Sequence, residues 1–372
     1  MRLSLLISVL FSASLLQAQT FINDTAYFDG VERNWFVYEP TAFDASVASP
    51  LVINLHGAGS SAFEQAIYSQ FNFVADTAGP LVVYPNAIEN FWNSGFDSIS
   101  AFLPDDVAFL TALIDTLKTQ YNIDDNRVYT MGMSNGGFMS YRLVCETANV
   151  FAAMASVTGS MTNSVFDGCN PADGPVPVLQ MHGTSDNTVL YDGSEEVKGI
   201  EDIVEFWADF NNCPAVQISD LPDLTIDATT IELQRYYFCD DFSEVIFYKI
   251  ENGGHTWPGS FPLPGIGNTN QDINAEVEIW EFFKRHSLDM EFTSVSHPEV
   301  IEMQLVPNPF TEQFVLIAAG EFDVKISDLS GRLVYQGQGT DQLIVTPEFG
   351  TGMYLVEVQS AVERKVITIV RN

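Results

Sequence analysis

Residues 128–144 read VYTMGMSNGGFMSYRLV and hold one serine between glycines. An apolar run, Val128 to Met131, meets Gly132-Met133-Ser134-Asn135-Gly136-Gly137, and apolar residues then recur at helical spacing at Phe138, Met139, Tyr141 and Val144. Strand, cramped turn and helix in that order make the G-x-S-x-G nucleophile elbow, whose small residues permit the strained turn that lifts a hydroxyl clear of the backbone. The turn also sets Ser134 at a helix N-terminus, where unpaired backbone N–H groups favour negative charge. Glycine and serine are ordinary turn residues as well. The pentapeptide therefore needs a base and an acid before it means chemistry.

In this arrangement the partners follow the serine as acid, then histidine. The chain has five histidines. His255 lies in Glu251-Asn252-Gly253-Gly254-His255-Thr256-Trp257-Pro258-Gly259, directly after the β-like run Glu244–Ile250. A histidine on a glycine-rich loop beyond a buried strand can reach across the top of a sheet; the alternative is a loop histidine packed on Trp257. His182 lies near a strand end and reads as a hydrogen-bonded structural residue, and His297 falls in a linker. His286 closes an amphipathic helix, where a cation suits the dipole. His255 is the expected base. Asp186 follows the apolar strand 176–181 through Gly183-Thr184-Ser185, which puts a carboxylate at the carboxyl edge of the sheet. Asp192, Asp202 and Asp209 are rivals, but they fall in a polar turn and on an amphipathic helix, where a solvated face is the readier reading. Asp186 is the expected acid, holding the imidazole tautomer and stabilising the imidazolium without taking its proton.

Acyl transfer also needs donors aimed at the developing oxyanion. One is expected from the backbone N–H of Asn135, the residue after the nucleophile, and another from the loop after an early strand. Leu51–Leu55 is such a strand, and His56-Gly57-Ala58-Gly59-Ser60-Ser61 follows it. The Gly57 and Ala58 amides are the candidates, with His56 shaping the loop.

These residues need a frame. Phe21–Pro40 reads as a hairpin. Strands at 50–55, 80–84, 127–131, 153–158, 176–181 and 244–250 alternate with helices at 62–76, 104–120, 136–147, 195–211 and 273–286. Such alternation implies an α/β domain, a mostly parallel sheet with helices on both faces. Gly/Pro-rich insertions at 86–103 and 256–272 fall on the side of the expected site and are candidate cleft walls. After residue 288 the helical periodicity stops. Leu288–Met303 is a polar linker, and short alternating runs from Leu305 onward predict a small all-β sandwich of about 65 residues. The expected organisation is a leader over 1–18, a catalytic domain over 19–288, a linker over 289–304 and a β domain over 305–372.

HGAGSS, YPNA…FWN (84–93), PDDVAFLTALI (104–114), GMSNGGFMSYRL, HGTSDNTVLYDG (182–193), GGHTWPG and DINAEVEIWEFF (272–283) together resemble the secreted α/β-hydrolase family of polyhydroxybutyrate-depolymerase-type and feruloyl esterases. The resemblance covers roughly residues 25–288 in the family's order. It implies the α/β-hydrolase fold and a triad of Ser134, Asp186 and His255. Members act on cinnamoyl, acetyl and hydroxyalkanoate esters, so the substrate stays open. Trp92 and Trp257 resemble aromatic positions near the family's substrate cleft, with ordinary packing as the alternative. Pro307-Asn308-Pro309-Phe310, the Asp328–Arg332 turn and the Gly352–Val356 run resemble the C-terminal sorting module of the type IX secretion system, which implies that machinery as a partner and an extracellular or cell-surface destination. A polymer-binding module is the competing reading; Phe and Tyr there fall on alternating, core-like positions.

Met1-Arg2, a short apolar run and a small residue at Ala18 form a secretory signal peptide. No stretch is long enough to predict an integral membrane span. Four cysteines in an exported chain predict two disulfides with three possible connectivities. Locality and the family resemblance favour Cys145–Cys169 and Cys213–Cys239. No Cys or His cluster has metal-ligand spacing, so neither metal nor cofactor is expected. A net charge of −34, from 49 acidic and 15 basic residues, argues against nucleic acid as a partner.

The expected function is a secreted serine carboxylic-ester hydrolase, with feruloyl or acyl esters of plant polysaccharides preferred. Poly(3-hydroxybutyrate) or another polyester is the alternative. A surface-displayed binding protein on a decayed hydrolase scaffold is the reading from another class, and a peptidase is a third.

Overall fold

The structure, a computed structural model, describes residues 20–41, 43–171, 174–289, 304–328, 332–360 and 364–371. The expected leader over 1–18, His297 and the Leu329-Ser330-Gly331 turn lie outside these residues. The chain divides into two compact units, Met1–Glu291 and Phe292–Asn372.

The first unit opens with a hairpin, β1 (Thr20–Phe28) and β2 (Val31–Glu39), paired through its full length. Its two-residue turn has positive φ at both Asp29 and Gly30, the mirror-image turn whose twist suits a hairpin. Then follow β3 (Ser49–Leu55), α1 (Ala62–Ser69), α2 (Phe71–Ala78), β4 (Leu81–Pro85), α3 (Asp106–Gln120), β5 (Ile123–Met133), α4 (Asn135–Glu146), β6 (Ala153–Val157) and α5 (Asn163–Gly168). β7 (Val178–Gly183), α6 (Ile200–Phe210), β8 (Ala215–Asp220), β9 (Thr230–Tyr237), β10 (Val245–Glu251) and α7 (Ala275–Phe283) complete it. The strands form one ten-stranded sheet in the order β1-β2-β4-β3-β5-β6-β7-β10-β9-β8. Its centre, from β4 to β10, is parallel, and both ends are antiparallel.

The parallel centre follows from the sequence. β3, β4, β6 and β7 are buried at every position, as continuous apolar strands covered on both faces must be. Leu51 and Ile53 face a core shared with α3, α4 and α6. Val52, Tyr84 and Tyr129 face the opposite core, shared with α1, α2 and α7. This is the α/β-hydrolase arrangement.

Two features differ from the sequence reading. The helix expected over 62–76 is broken at Gln70, whose φ is 53°; the chain restarts at Phe71, whose ring is fully buried. β8 and β9 were not expected at all. On β8 the large apolar side chains, Val216 and Ile218, stay exposed, so no burial pattern announces the strand.

The second unit contains β11 (Gln304–Val306), β12 (Phe314–Asp328), β13 (Leu333–Val345), β14 (Gly352–Ser360) and β15 (Arg364–Arg371), all paired antiparallel. Runs expected as separate strands at 314–318 and 322–327 join into β12, which changes partner from β11 to β14 across a register shift after Ile317. One apolar core, including Phe310, Phe314, Val324, Val356 and Ile369, is enclosed.

Candidate active site

The turn between β5 and α4 is built by contact distances. Ser134 has φ 53° and ψ −121°, a conformation costing a non-glycine residue about 1–3 kcal/mol. A methyl group on Gly132 would lie 2.4 Å from the Gly136 carbonyl carbon, and one on Gly136 would lie 2.2 Å from Leu55 O. Both glycines are therefore steric necessities that seat the first turn of α4 against the end of β3. The Ser134 N–H donates to Val157 O at 2.8 Å. Its side chain makes no capping bond to α4, so the helix does not occupy the hydroxyl.

Asp186 and His255 leave the same edge of the sheet, on the turns after the parallel neighbours β7 and β10. Those turns are laced together: Thr184 N–H donates to Ile250 O at 2.9 Å and Ser185 N–H to Gly253 O at 2.9 Å. Asp186 Oδ1 accepts the N–H groups of Thr188 (2.8 Å) and Val189 (2.9 Å). Its Oδ2 lies 2.7 Å from His255 Nδ1. A carboxylate there accepts a hydrogen bond from Nδ1–H, leaving Nε2 as the acceptor nitrogen. The Asp186 side chain is wholly buried, while 9% of the His255 side chain is exposed.

A strap from the 256–272 insertion holds the histidine from the other side. His255 N–H donates to Ile266 O at 2.6 Å, Gly254 N–H to Asn268 O at 2.9 Å, and Asn268 Nδ2 to Asn252 O at 3.1 Å. Gly254 and Gly267 touch: a methyl group on Gly267 would stand 2.6 Å from Gly254 Cα.

The loop after β3 closes against the serine, for a methyl group on Gly57 would lie 3.3 Å from Ser134 Cβ. His56 shapes this loop. Its Nδ1 lies 2.8 Å from Gly57 O, its Nε2 accepts the Ala87 N–H at 3.0 Å, and burial pushes its pKa down. A neutral ring satisfies both bonds. Asn135 begins α4, so its N–H has no intrahelical acceptor. Its side chain braces the 92–94 segment, accepting the Trp92 N–H at 2.6 Å and donating to Ser94 Oγ at 2.7 Å. That segment is anchored in turn by Asp106, which accepts from Asn93 N–H (2.7 Å) and from buried Arg33 (2.6 Å).

Ser134, His255, Gly57 and Ala58 line one cavity of about 460 Å³. Its remaining wall is largely apolar, with Ile67 and Tyr68 from α1 and Phe261 and Leu263 from the insertion. Trp92 and Trp257, read as cleft candidates, do not line it; both are fully buried. Trp92 Nε1 donates to His56 O at 3.0 Å. Trp257 Nε1 donates to Glu276 Oε2 at 3.2 Å, where burial raises the carboxyl pKa. These rings are used as packing and as fixed donors behind the wall. Of the two insertions, 256–272 supplies wall residues, while 86–103 buttresses Asn135 and the His56 loop. The wall residues of α1 escaped sequence reading because an apolar stripe on a helix looks like core. For Phe261 and Leu263 the available signal was two large apolar residues in a Pro/Gly-rich loop.

Cys145 is bonded to Cys169 and Cys213 to Cys239, the pairing that locality favoured. Among the described residues no group of three or more His, Cys, Asp or Glu is placed to hold a metal ion. Among them, too, no helix is long and apolar enough to cross a membrane.

Residues 35–207 match the family described as esterase PHB depolymerase, and residues 304–371 match the secretion system C-terminal sorting domain. The bifunctional acetylxylan esterase/xylanase XynS20E of Neocallimastix patriciarum is 28% identical over 268 residues, covering 72% of this chain and 35% of that protein. Feruloyl esterase B of Piromyces equi is 30% identical over 271 residues, covering 69% and 46%. The putative esterase NocK of Nocardia uniformis subsp. tsuyamanensis is 29% identical over 255 residues, covering 63% and 73%. The chain thus spans less than half the length of two of these three relatives. Residues 35–207 are thus similar to the esterase PHB depolymerase family, and residues 304–371 to the secretion-system C-terminal sorting domains.

Proposed function

We propose that this chain is a secreted serine carboxylic-ester hydrolase, with Ser134 as nucleophile, His255 as base and Asp186 as its orienting acid. The observation carrying this reading is the 2.7 Å contact between His255 Nδ1 and Asp186 Oδ2, on a ring that shares a cavity with Ser134. Ser134 Oγ attacks the ester carbonyl as its proton passes to His255 Nε2. The oxyanion of the tetrahedral intermediate is held by the N–H of Asn135 and those of Gly57 and Ala58. His255 then returns the proton to the departing alcohol, and water repeats the sequence on the acyl-enzyme.

Feruloyl or acyl esters of plant polysaccharides are the preferred substrates. The apolar wall with the aromatic pair Tyr68–Phe261, centroids 5.3 Å apart, suits an aryl or short acyl group. Tyr68 Oη accepts the Trp257 N–H at 3.3 Å, which leaves its own proton for a polar atom on that group. The names of the relatives favour the same class. One observation favours a polyester instead: Ile67 and Phe261 are each 48% exposed at the mouth, as a surface meeting an insoluble polymer would be. The sorting domain is proposed to engage the type IX export machinery and to deliver the enzyme outside the cell.

The test compares hydrolysis of p-nitrophenyl acetate by wild type and Ser134→Ala, with a loss of about 10³-fold or more expected. Equal rates sink the enzyme reading, and faster cleavage of peptides than of esters favours a peptidase. A panel of methyl ferulate, acetylated xylan and polyhydroxybutyrate film then separates the substrates; release from the film alone overturns the preference.

A further inference from the structure

We propose that Gln180 and His182 are a positioning pair that reserves the charge of Asp186 for His255, a role that rests on the assignment of Asp186 and His255 above. Gln180 holds His182 neutral with its single proton on Nε2, and that N–H supports the Asp186 turn.

Both side chains lie on β7, two residues apart and so on one face of the sheet, and both are fully buried. The amide of Gln180 is oriented at both ends. Its Oε1 takes the Tyr141 hydroxyl proton at 2.8 Å, and its Nε2 faces Gly159 O at 2.9 Å and Met181 O at 3.4 Å. Carbonyl oxygens accept only, so the end beside them is the NH₂. The same NH₂ lies 3.2 Å from His182 Nδ1, which must therefore offer a lone pair. The other ring nitrogen, Nε2, lies 2.9 Å from Val189 O, again an acceptor, and must carry hydrogen. The Gln180 NH₂ and Val189 O thus favour one neutral tautomer, against the smaller opposing pull of Gly159 O, a backbone acceptor that acts to raise the His182 pKa.

His182 Nε2 also stands 3.4 Å from Asp186 Oδ2, the oxygen that accepts the hydrogen bond of His255 Nδ1–H. Two imidazoles flank one carboxylate. During the reaction His255 becomes an imidazolium and needs the full negative charge of Asp186. A second cation at His182 would divide it. Protonation of His182 Nδ1 would set its new N–H against the N–H of Gln180, so the amide opposes it directly. Burial acts in the same direction, pushing the His182 pKa to about 4.

Other titratable groups face His182 without bonding its ring. Tyr191 packs edge-on at 6.2 Å. Lys249 is its partner across the β7–β10 ladder, with its ammonium 2.9 Å from Glu201 and 3.8 Å from Glu251. Tyr141 reaches it only through Gln180 and is kept neutral by burial.

The test has two readouts. Imidazole ¹⁵N NMR of wild type and of Ser134→Ala should find His182 as the neutral Nε2–H tautomer from about pH 5 to about pH 8, the range in which an ordinary histidine titrates. Gln180→Met, similar in size but unable to donate, should lower kcat for p-nitrophenyl acetate about tenfold toward pH 5, with KM unchanged. The rate should return close to wild type near pH 8.5, where the ring is neutral without help. Tyr141→Phe should produce a weaker loss of the same shape. A loss equal at every pH, or a His182 that titrates or carries its proton on Nδ1, overturns the proposal. Should Gln180→Met fail to fold, the wild-type spectrum and Tyr141→Phe still decide. If wild type hydrolyses no ester, the esterase reading fails, whereas the spectrum still tests the tautomer.

Discussion

The elbow at 132–137 and the histidine segment at 252–256 are placed in opposite ways. The elbow is made by what is missing: side chains on Gly132 and Gly136 would occupy the space of the helix start and of Leu55 O. Its strain at Ser134 is held by a strand on each side of β5. The histidine segment is made by what is added: Asp186, 69 residues earlier in the chain, and the Ile266–Asn268 strap grip it from two directions. A nucleophile needs one unusual backbone conformation, which a short motif can specify. A base needs a direction in space, and that takes partners distant in sequence.

Either placement can be disrupted by a single substitution. Gly136→Ala should have the largest effect, because its methyl group would meet Leu55 O at 2.2 Å. Destabilisation of about 3 kcal/mol or more is expected, seen as a lower unfolding midpoint and loss of hydrolysis. A stable, active variant would mean that the elbow tolerates displacement. Asp186→Asn comes next. The protein should fold, while kcat falls on the order of 10³–10⁴-fold because the amide can favour the wrong imidazole tautomer. A loss under about tenfold would assign the positioning of His255 to the strap alone.

Gly267→Ala tests the strap. Its methyl group meets Gly254 Cα at 2.6 Å, and a displaced base should lower kcat by about 10–100-fold, with a smaller fall in unfolding midpoint than Gly136→Ala. A rise in KM alone would make the strap a cavity wall and no more. The smallest effect is expected in acid. The folded-state pKa of His182, about 4, lies below its ordinary 6.5, so the unfolded chain binds more protons between these values. Its contribution to stability is therefore complete above pH 6.5 and is lost as the pH falls through about 4. The unfolding midpoint should decline over that window, and His182→Leu should flatten the decline.

Much of the frame was legible because buried parallel strands are continuous apolar runs. β3 and β4 could be placed to within one residue at each end. β8 was not, since its strand is defined by pairing with β9 and leaves Val216 and Ile218 in solvent. The break at Gln70 was hidden too, because an apolar stripe runs through both α1 and α2. Within the site, glycine spacing and strand order were enough to nominate Ser134, Asp186 and His255. They were not enough to place Trp92 and Trp257, since large rings near a site can pack behind a wall or form it. Only packing distinguishes the two.

Consecutive residues therefore carried the chemistry on offer and its order along the chain: a serine that only glycine neighbours permit, an acid and a histidine each just after a buried strand, and a β-rich tail. These depend on short-range sterics and on hydrophobic runs, which are written in consecutive residues. The tertiary structure alone decided the direction of the imidazole, the neutral tautomer of His182 and the composition of the cavity wall. Each of those is a contact between residues far apart in the chain, and no local pattern records which distant backbone will supply the partner.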